Sequence, residues 1–100
     1  MPVMICQGQN QEYIFSVIPK GANPPKKVGG VFMAVQSNDP FGCSVDGISL
    51  LGEIRDLDEL PQTLVAADYS HLYLMPEFDR KRREEIVADL ATVYSDVQRL

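Results

Sequence analysis

Cationic side chains at two places are the residues of this sequence best suited to binding chemistry. The run 80–83, Arg-Lys-Arg-Arg, follows Asp79 at the start of a periodic apolar segment, and three lysines lie in an earlier loop. Arginines and the free amides of a helix start together bind anions. The sequence therefore predicts a site for an anion or an acidic partner, whose candidate residues are Lys20, Lys26, Lys27, Arg80, Arg82 and Arg83. A solvated loop and a solvated helix face would have the same composition, and both interpretations stay open.

The other reactive residue types indicate no catalytic centre. His71 is the only histidine, and no motif places a cysteine, serine or acid beside it, so we interpret it as a satisfied edge residue at the start of a strand rather than as a catalytic base. Cys6 and Cys43 are the only cysteines. One possible pair is typical of reduced thiols in a cytosolic protein rather than of a disulfide framework, and two thiols with one imidazole do not supply zinc spacing.

Length and charge restrict the class of protein further. One hundred residues correspond to a single domain, here 1–100. The net charge of -5 and the pI near 4.6 argue against non-specific binding of nucleic acid by the whole surface. The apolar runs are much shorter than a membrane span, and no basic region with a long apolar core starts the chain. We therefore expect a cytoplasmic protein without membrane contact.

Strands are predicted where β-branched and aromatic residues accumulate between turn formers. Residues 12–18, 30–35, 48–51 and 71–75 meet this description, and a further short strand at 4–6 stays open. The segment 30–35 is apolar at nearly every position, which predicts a central strand buried on both faces.

Two helices are predicted to complete the domain. Asp56 and Glu59 form a capping box for a short helix at 56–60, with another turn near 62–67 after Pro61. A long amphipathic helix at 79–100 is indicated by apolar residues spaced three or four apart. These are Ile86, Leu90, Val93, Val97 and Leu100. We predict an α+β fold: a small mixed or antiparallel sheet, a short helix after the third strand, and a long C-terminal helix packed on the sheet.

The order of these segments resembles the GIY-YIG nuclease superfamily. Gly30-Val31-Phe32 resembles its Gly-Ile-Tyr motif and Leu50-Leu51-Gly52 resembles its Tyr-Ile-Gly motif. The segment 56–60 follows the family's short-helix pattern except at its last position, where the family has arginine. The segment 86–90 with the later Tyr94 is similar to the long helix of small bacterial members. The resemblance covers a core of about 12–97 and implies a degenerate member of that group.

The resemblance also implies which side chains would carry the chemistry. The family hydrolyses phosphodiesters with two tyrosines, an arginine and a metal-binding glutamate. The matching positions here are Phe32, Leu50, Leu60 and Val87, none of which can move a proton or hold a metal. Glu84 is the candidate stand-in for the missing carboxylate, while Arg55 precedes the expected arginine by more than a turn.

Three hypotheses follow from the resemblance and the charge pattern. The first is a non-catalytic GIY-YIG-like binding or accessory module without a cofactor. Its partner would be a protein, or nucleic acid in weak contact with the basic helix start. The second is a phosphodiesterase with relocated catalytic residues and a divalent metal. The third is an acidic protein-interaction domain unrelated to the family, whose acidic residues are Asp46, Glu53, Asp56, Asp58 and Glu59.

Overall fold

The computed structural model describes residues 3–22, 29–55, 64 and 68–94, together with the backbone of 98–99. In this part of the chain the structure contains strands and one long helix, an α+β arrangement as predicted. The strands are β1 (Val3–Gln7), β2 (Glu12–Pro19), β3 (Gly30–Gln36), β4 (Gly47–Ile54), β5 (His71–Pro76) and β6 (Gln98–Arg99), and the helix is α1 (Arg80–Val93).

The strands form one sheet in the order β1-β2-β5-β3-β4-β6. The first five are antiparallel to their neighbours, and β6 pairs in parallel with β4 through two residues. Strand β5 lies between β2 and β3. Strand β3 therefore pairs with β5 along one edge and with β4 along the other. Its residues 30–35 are all buried, and the prediction of a central strand is confirmed.

Each face of the sheet has its own apolar core, because successive side chains of a strand point to opposite sides. On one face, Val31 and Met33 pack with Ile86, Val87 and Leu90 of α1 in what we call the helix-side core. On the other face lies the opposite core, which consists of Ile18, Phe32, Ala34, Leu50, Ile54, Leu64, Leu72 and Leu74, with Tyr69 packed against it. The side chain of a given β3 residue therefore reaches one core or the other, but never both.

Helix α1 begins as predicted and ends earlier than predicted. Asp79 caps its start by accepting a hydrogen bond from the backbone N–H of Lys81 at 3.1 Å. Val93, expected in the buried stripe, is 46% exposed, and Tyr94 leaves the helical conformation. The predicted continuation to residue 100 is wrong, because residues 98–99 form β6 along the otherwise open edge of β4. Val97 and Leu100 lie outside the described residues.

The short helix predicted at 56–60 also lies outside the described residues. Within the predicted turn at 62–67, only Leu64 is described; its backbone is helical and its side chain is fully buried in the opposite core. No helix in the described ranges is long and apolar enough to cross a membrane.

Candidate anion-binding pocket

The positions that match the family's catalytic residues do not come together. Phe32 is fully buried and Leu50 is 2% exposed, and both belong to the opposite core. Val87 is 5% exposed in the helix-side core, on the other side of the sheet. Leu60 lies outside the described residues. The sheet therefore separates the position matched to the metal-binding glutamate from the two positions matched to tyrosines.

Glu84, the candidate stand-in for the missing carboxylate, lies on the exposed surface of α1. Its side chain is 57% exposed on α1 and accepts from the Nε of Arg80 at 3.2 Å. It points to solvent rather than toward Phe32 or Leu50, which are enclosed by apolar side chains. In the described ranges, no three His, Cys, Asp or Glu side chains group as they would around a metal ion.

A different site forms beside the start of α1. A surface pocket of about 430 Å³ is lined by Gly29, Arg55, Phe78, Arg80 and Arg83. Register explains why these residues meet: Gly30 pairs with Ile54 on β4 and with Pro76 on β5, so the residues just beyond those partners surround Gly29. The N–H of Glu77 donates to the carbonyl oxygen of Gly29 at 2.9 Å and closes this end of the sheet.

Glycine at position 29 allows β4 and Arg83 to pack closely against the start of β3. A Cβ there would lie 2.7 Å from the carbonyl oxygen of Arg55 and 3.0 Å from Nη1 of Arg83. Both distances are shorter than ordinary contacts, and one neighbour is backbone that cannot swing away. A larger residue would therefore push β4 and α1 away from the start of β3.

Arg83 forms the fixed side of the pocket. Only 5% of its side chain is exposed, and its Nε donates to Oε2 of Glu53 at 2.6 Å. Its Nη1 donates to the carbonyl oxygens of Glu77 at 3.1 Å and Phe78 at 2.9 Å. Moving this buried guanidinium away would break its ion pair with Glu53 and leave a charge unpaired, which is costly. Arg83 therefore holds residues 77–78 against α1 and β4.

Arg55 and Arg80 supply the exposed charge of the pocket. Arg80 is 78% exposed and pairs with Glu84, which is also exposed. Such pairs contribute about 0–1 kcal/mol because water competes for both partners. Arg55 is exposed just after β4, and no acidic side chain in the described part of the chain pairs with it. The pocket is thus locally cationic on a protein whose net charge is -5.

The remaining predicted binding residues lie elsewhere. Arg82 pairs with Glu85 at 3.5 Å and does not line the pocket. Lys20 places its Nζ 4.6 Å from the centre of the Tyr69 ring, a cation–π contact. Lys26 and Lys27 lie outside the described residues. The structure therefore brings together Arg80 and Arg83 of the predicted set and adds Arg55, Phe78 and Gly29, which sequence reasoning did not assign to binding.

A second polar cluster is structural. Asp89 is 7% exposed on α1 and accepts from the hydroxyl of Tyr13 at 2.6 Å, and from the backbone and side-chain nitrogens of Asn10 at 2.9 and 3.0 Å. The Tyr13 hydrogen bond is the main reason why the pKa of this carboxyl lies below its ordinary value. Because its oxygens accept from the β1–β2 turn and β2, Asp89 anchors α1 to that hairpin. Sequence reasoning missed this role.

The ring nitrogens of His71 have hydrogen-bond partners, as expected, but its strand β5 lies inside the sheet and not at an edge. His71 is 6% exposed, and its ring nitrogens lie 2.9 Å from the Ser70 hydroxyl and 3.2 Å from the carbonyl oxygen of Pro40. Two residues later, the Tyr73 hydroxyl donates to the carbonyl oxygen of Gly42 at 2.6 Å. Both side chains fasten the loop between β3 and β4, at the end of the hairpin away from the pocket.

Comparison with protein-family models, with curated proteins and with solved structures found no match to this chain.

Proposed function

We propose that this domain is a non-catalytic GIY-YIG-like module that binds a partner or assists another protein. The observation that carries the proposal is the packing of Phe32 and Leu50 in the opposite core, at the positions where the family has its tyrosines. The buried described residues of that core are all apolar, and the partly buried Tyr69 packs against it. Phenylalanine and leucine at these two positions cannot activate water or stabilise charge on a phosphate. The order of the motifs supports a relation to the family. The apolar residues at its catalytic positions support loss of phosphodiester hydrolysis.

The phosphodiesterase alternative needs a rebuilt polar site, and the described residues offer no support for one. Glu84 is engaged with Arg80 on the outer surface of α1. A carboxylate at position 87 would enter the helix-side core rather than approach Phe32. The alternative therefore requires groups from outside the described ranges.

The acidic-interface alternative is also less well supported than binding through cations. Asp46 accepts from the backbone N–H of Asn38 at 2.7 Å and from the Ser44 hydroxyl at 3.0 Å, so it stabilises its own loop. Glu53 is paired with Arg83. The other members, Asp56, Asp58 and Glu59, lie outside the described residues. We further propose a cytoplasmic location, which the two free cysteines support.

A nuclease assay tests the proposal. The purified chain is incubated with single-stranded and double-stranded DNA and RNA, in the presence of Mg²⁺ or Mn²⁺. We expect no cleavage above the buffer control from the wild type or from Glu84→Ala. Robust cleavage that disappears in Glu84→Ala would contradict the proposal and establish Glu84 as the replacement carboxylate.

A further inference from the structure

We propose that the pocket formed by Gly29, Arg55, Phe78, Arg80 and Arg83 binds a nucleoside phosphate. The phosphate would lie between the Arg55 and Arg80 guanidinium groups, and the base would stack on the Phe78 ring. The inference rests on the proposed function only in treating the domain as a binding module, since it uses no motif of the family. It names the class of ligand and the residues that hold it.

The charge of the pocket selects the phosphate. Guanidinium groups donate two parallel hydrogen bonds to phosphate oxygens, which makes arginine well suited to this ligand. Arg55 has no acidic partner in the described ranges, and Arg80 has only the exposed contact with Glu84. Among the described residues, a doubly charged phosphate therefore meets one guanidinium without an acidic partner and a second whose present partner is displaced at little cost.

One wall of the pocket is held in place before the ligand arrives. Arg83 is held by Glu53 and by two backbone carbonyls, and it packs closely against Gly29 at the start of β3. The pocket volume of about 430 Å³ falls within the range of roughly 300–1,000 Å³ found for small-ligand sites. The Arg83 wall is ordered before binding, whereas the exposed Arg55, Arg80 and Phe78 side chains lose conformational entropy when they hold the ligand.

The exposed ring of Phe78 selects the base. Its side chain is 83% exposed at the pocket, although phenylalanine is usually buried. Its backbone is fixed, because its carbonyl oxygen accepts from Nη1 of Arg83. An exposed aromatic ring on a fixed backbone beside two cations is the combination by which proteins hold nucleotides, through stacking and phosphate contacts together.

Titration calorimetry at low ionic strength tests the ligand class with AMP, adenosine and inorganic phosphate. We expect AMP to bind about tenfold more tightly than inorganic phosphate, because only AMP adds the stacking contact, and adenosine to bind least. The nucleoside phosphate could be a free nucleotide or the end of a nucleic-acid strand. A short oligothymidylate, with and without a 5′-phosphate, distinguishes these two ligands. Preference for the phosphorylated strand over AMP identifies a strand end, and the reverse identifies a free nucleotide.

Matched variants locate the phosphate. Arg55→Gln and Arg80→Gln should each weaken AMP binding by about tenfold, since each removes a charged hydrogen bond. Arg82→Gln is the control, because Arg82 lies on the same helix outside the pocket. Glu84→Gln should tighten binding by a few-fold, because it releases Arg80. All four side chains are at least partly exposed, and circular dichroism with thermal unfolding verifies that each variant is folded.

A second matched pair locates the base. Phe78→Ala should abolish the preference of the protein for AMP over inorganic phosphate. Phe41→Ala should leave the preference unchanged, since Phe41 is also exposed, at 73%, but lies at the other end of the β3–β4 hairpin.

Several results would overturn the inference. Equal affinity for AMP and inorganic phosphate would exclude stacking, and equal losses in Arg82→Gln and Arg80→Gln would indicate diffuse charge instead of a pocket. Preference for a phosphotyrosine peptide over AMP and the oligonucleotides would assign the pocket to a protein partner. Absence of AMP binding together with absence of cleavage would overturn only the pocket assignment. Cleavage would overturn only the non-catalytic proposal.

Discussion

Tyrosine at position 32, where the GIY-YIG superfamily has one, tests whether this position is closed apolar core. Phe32 is fully buried, and its partners across the sheet are Gly52 and Leu74. Phe32→Tyr places a hydroxyl among the apolar side chains of the opposite core. A buried hydroxyl without a hydrogen-bond partner costs about 1–3 kcal/mol, and the extra atom adds overpacking in the same direction. We expect the free energy of unfolding to fall by about 2 kcal/mol.

Urea unfolding followed by circular dichroism measures this loss. For a domain of this size m is about 1–3 kcal/mol per molar urea. A loss of about 2 kcal/mol therefore lowers the urea midpoint by roughly 1 M, with m unchanged. Domains are typically stable by about 5–15 kcal/mol, so the variant should still fold.

Phe41→Tyr is the matched control for this experiment. Phe41 is 73% exposed, and the same chemical change there should alter stability by less than about 0.5 kcal/mol. A Phe32→Tyr variant as stable as the wild type would refute the reasoning. It would mean that a polar partner or open space remains beside position 32, as an active site requires.

Three further predictions concern the polar groups and thiols. Glu53→Gln should lower the free energy of unfolding by about 3 kcal/mol, because it leaves the Arg83 charge buried without its carboxylate partner; urea unfolding measures this. Asp89 should make stability depend on pH. Folding lowers the pKa of its carboxyl, so its contribution is present above the ordinary value of 3.8 and is lost as the pH falls through the lowered native value. Asp89→Asn should therefore flatten the acid limb of a plot of stability against pH. At neutral pH, a disulfide reagent should modify the exposed Cys43 quickly and the buried Cys6 slowly, since burial raises the pKa of Cys6 to about 11.

Each of these predictions has a result that would contradict it. The double variant Glu53→Met with Arg83→Met should recover part of the loss, and no recovery would show that charge burial is not the cause. An acid limb unchanged in Asp89→Asn would exclude that carboxyl as the group that titrates. Two fast thiols would show that Cys6 is accessible, and Cys43→Ser should remove the fast phase.

Local sequence signals predicted the strands well. The strands β2, β3, β4 and β5 each contain β-branched or aromatic residues between turn formers. This signal can be read from residues that are close together in the sequence. The position of β5 between β2 and β3 was not predictable from such patterns. It depends on pairing across tens of residues, which no local spacing encodes.

The C-terminal helix shows the limit of periodicity. Apolar spacing continues from Ile86 to Leu100, yet α1 ends at Val93. The open edge of β4 competes for the following residues, and two of them pair with it as β6. Tertiary pairing thus overrides a helical pattern near the end of the chain.

The basic run 80–83 was identified from the sequence, but which of its residues line the pocket was not. Successive helix residues are rotated by about 100°, so Arg80 and Arg83 line the pocket while Arg82 pairs with Glu85. Arg55 reaches the same pocket only because of the β3–β4 register. The role of Asp89 was not predicted, since its partner Asn10 lies 79 residues earlier in the chain.

We propose that the ligand binds at the arginine-lined pocket, while Phe32 and Leu50 are closed within the opposite core. Backbone amide shifts recorded during an AMP titration test it most directly. The account predicts saturable shifts at Gly29, Arg55, Phe78 and Arg80, with Phe32 and Leu50 unchanged. Shifts centred on Phe32 and Leu50 instead would contradict it, because they would place the ligand where the structure has a closed apolar core.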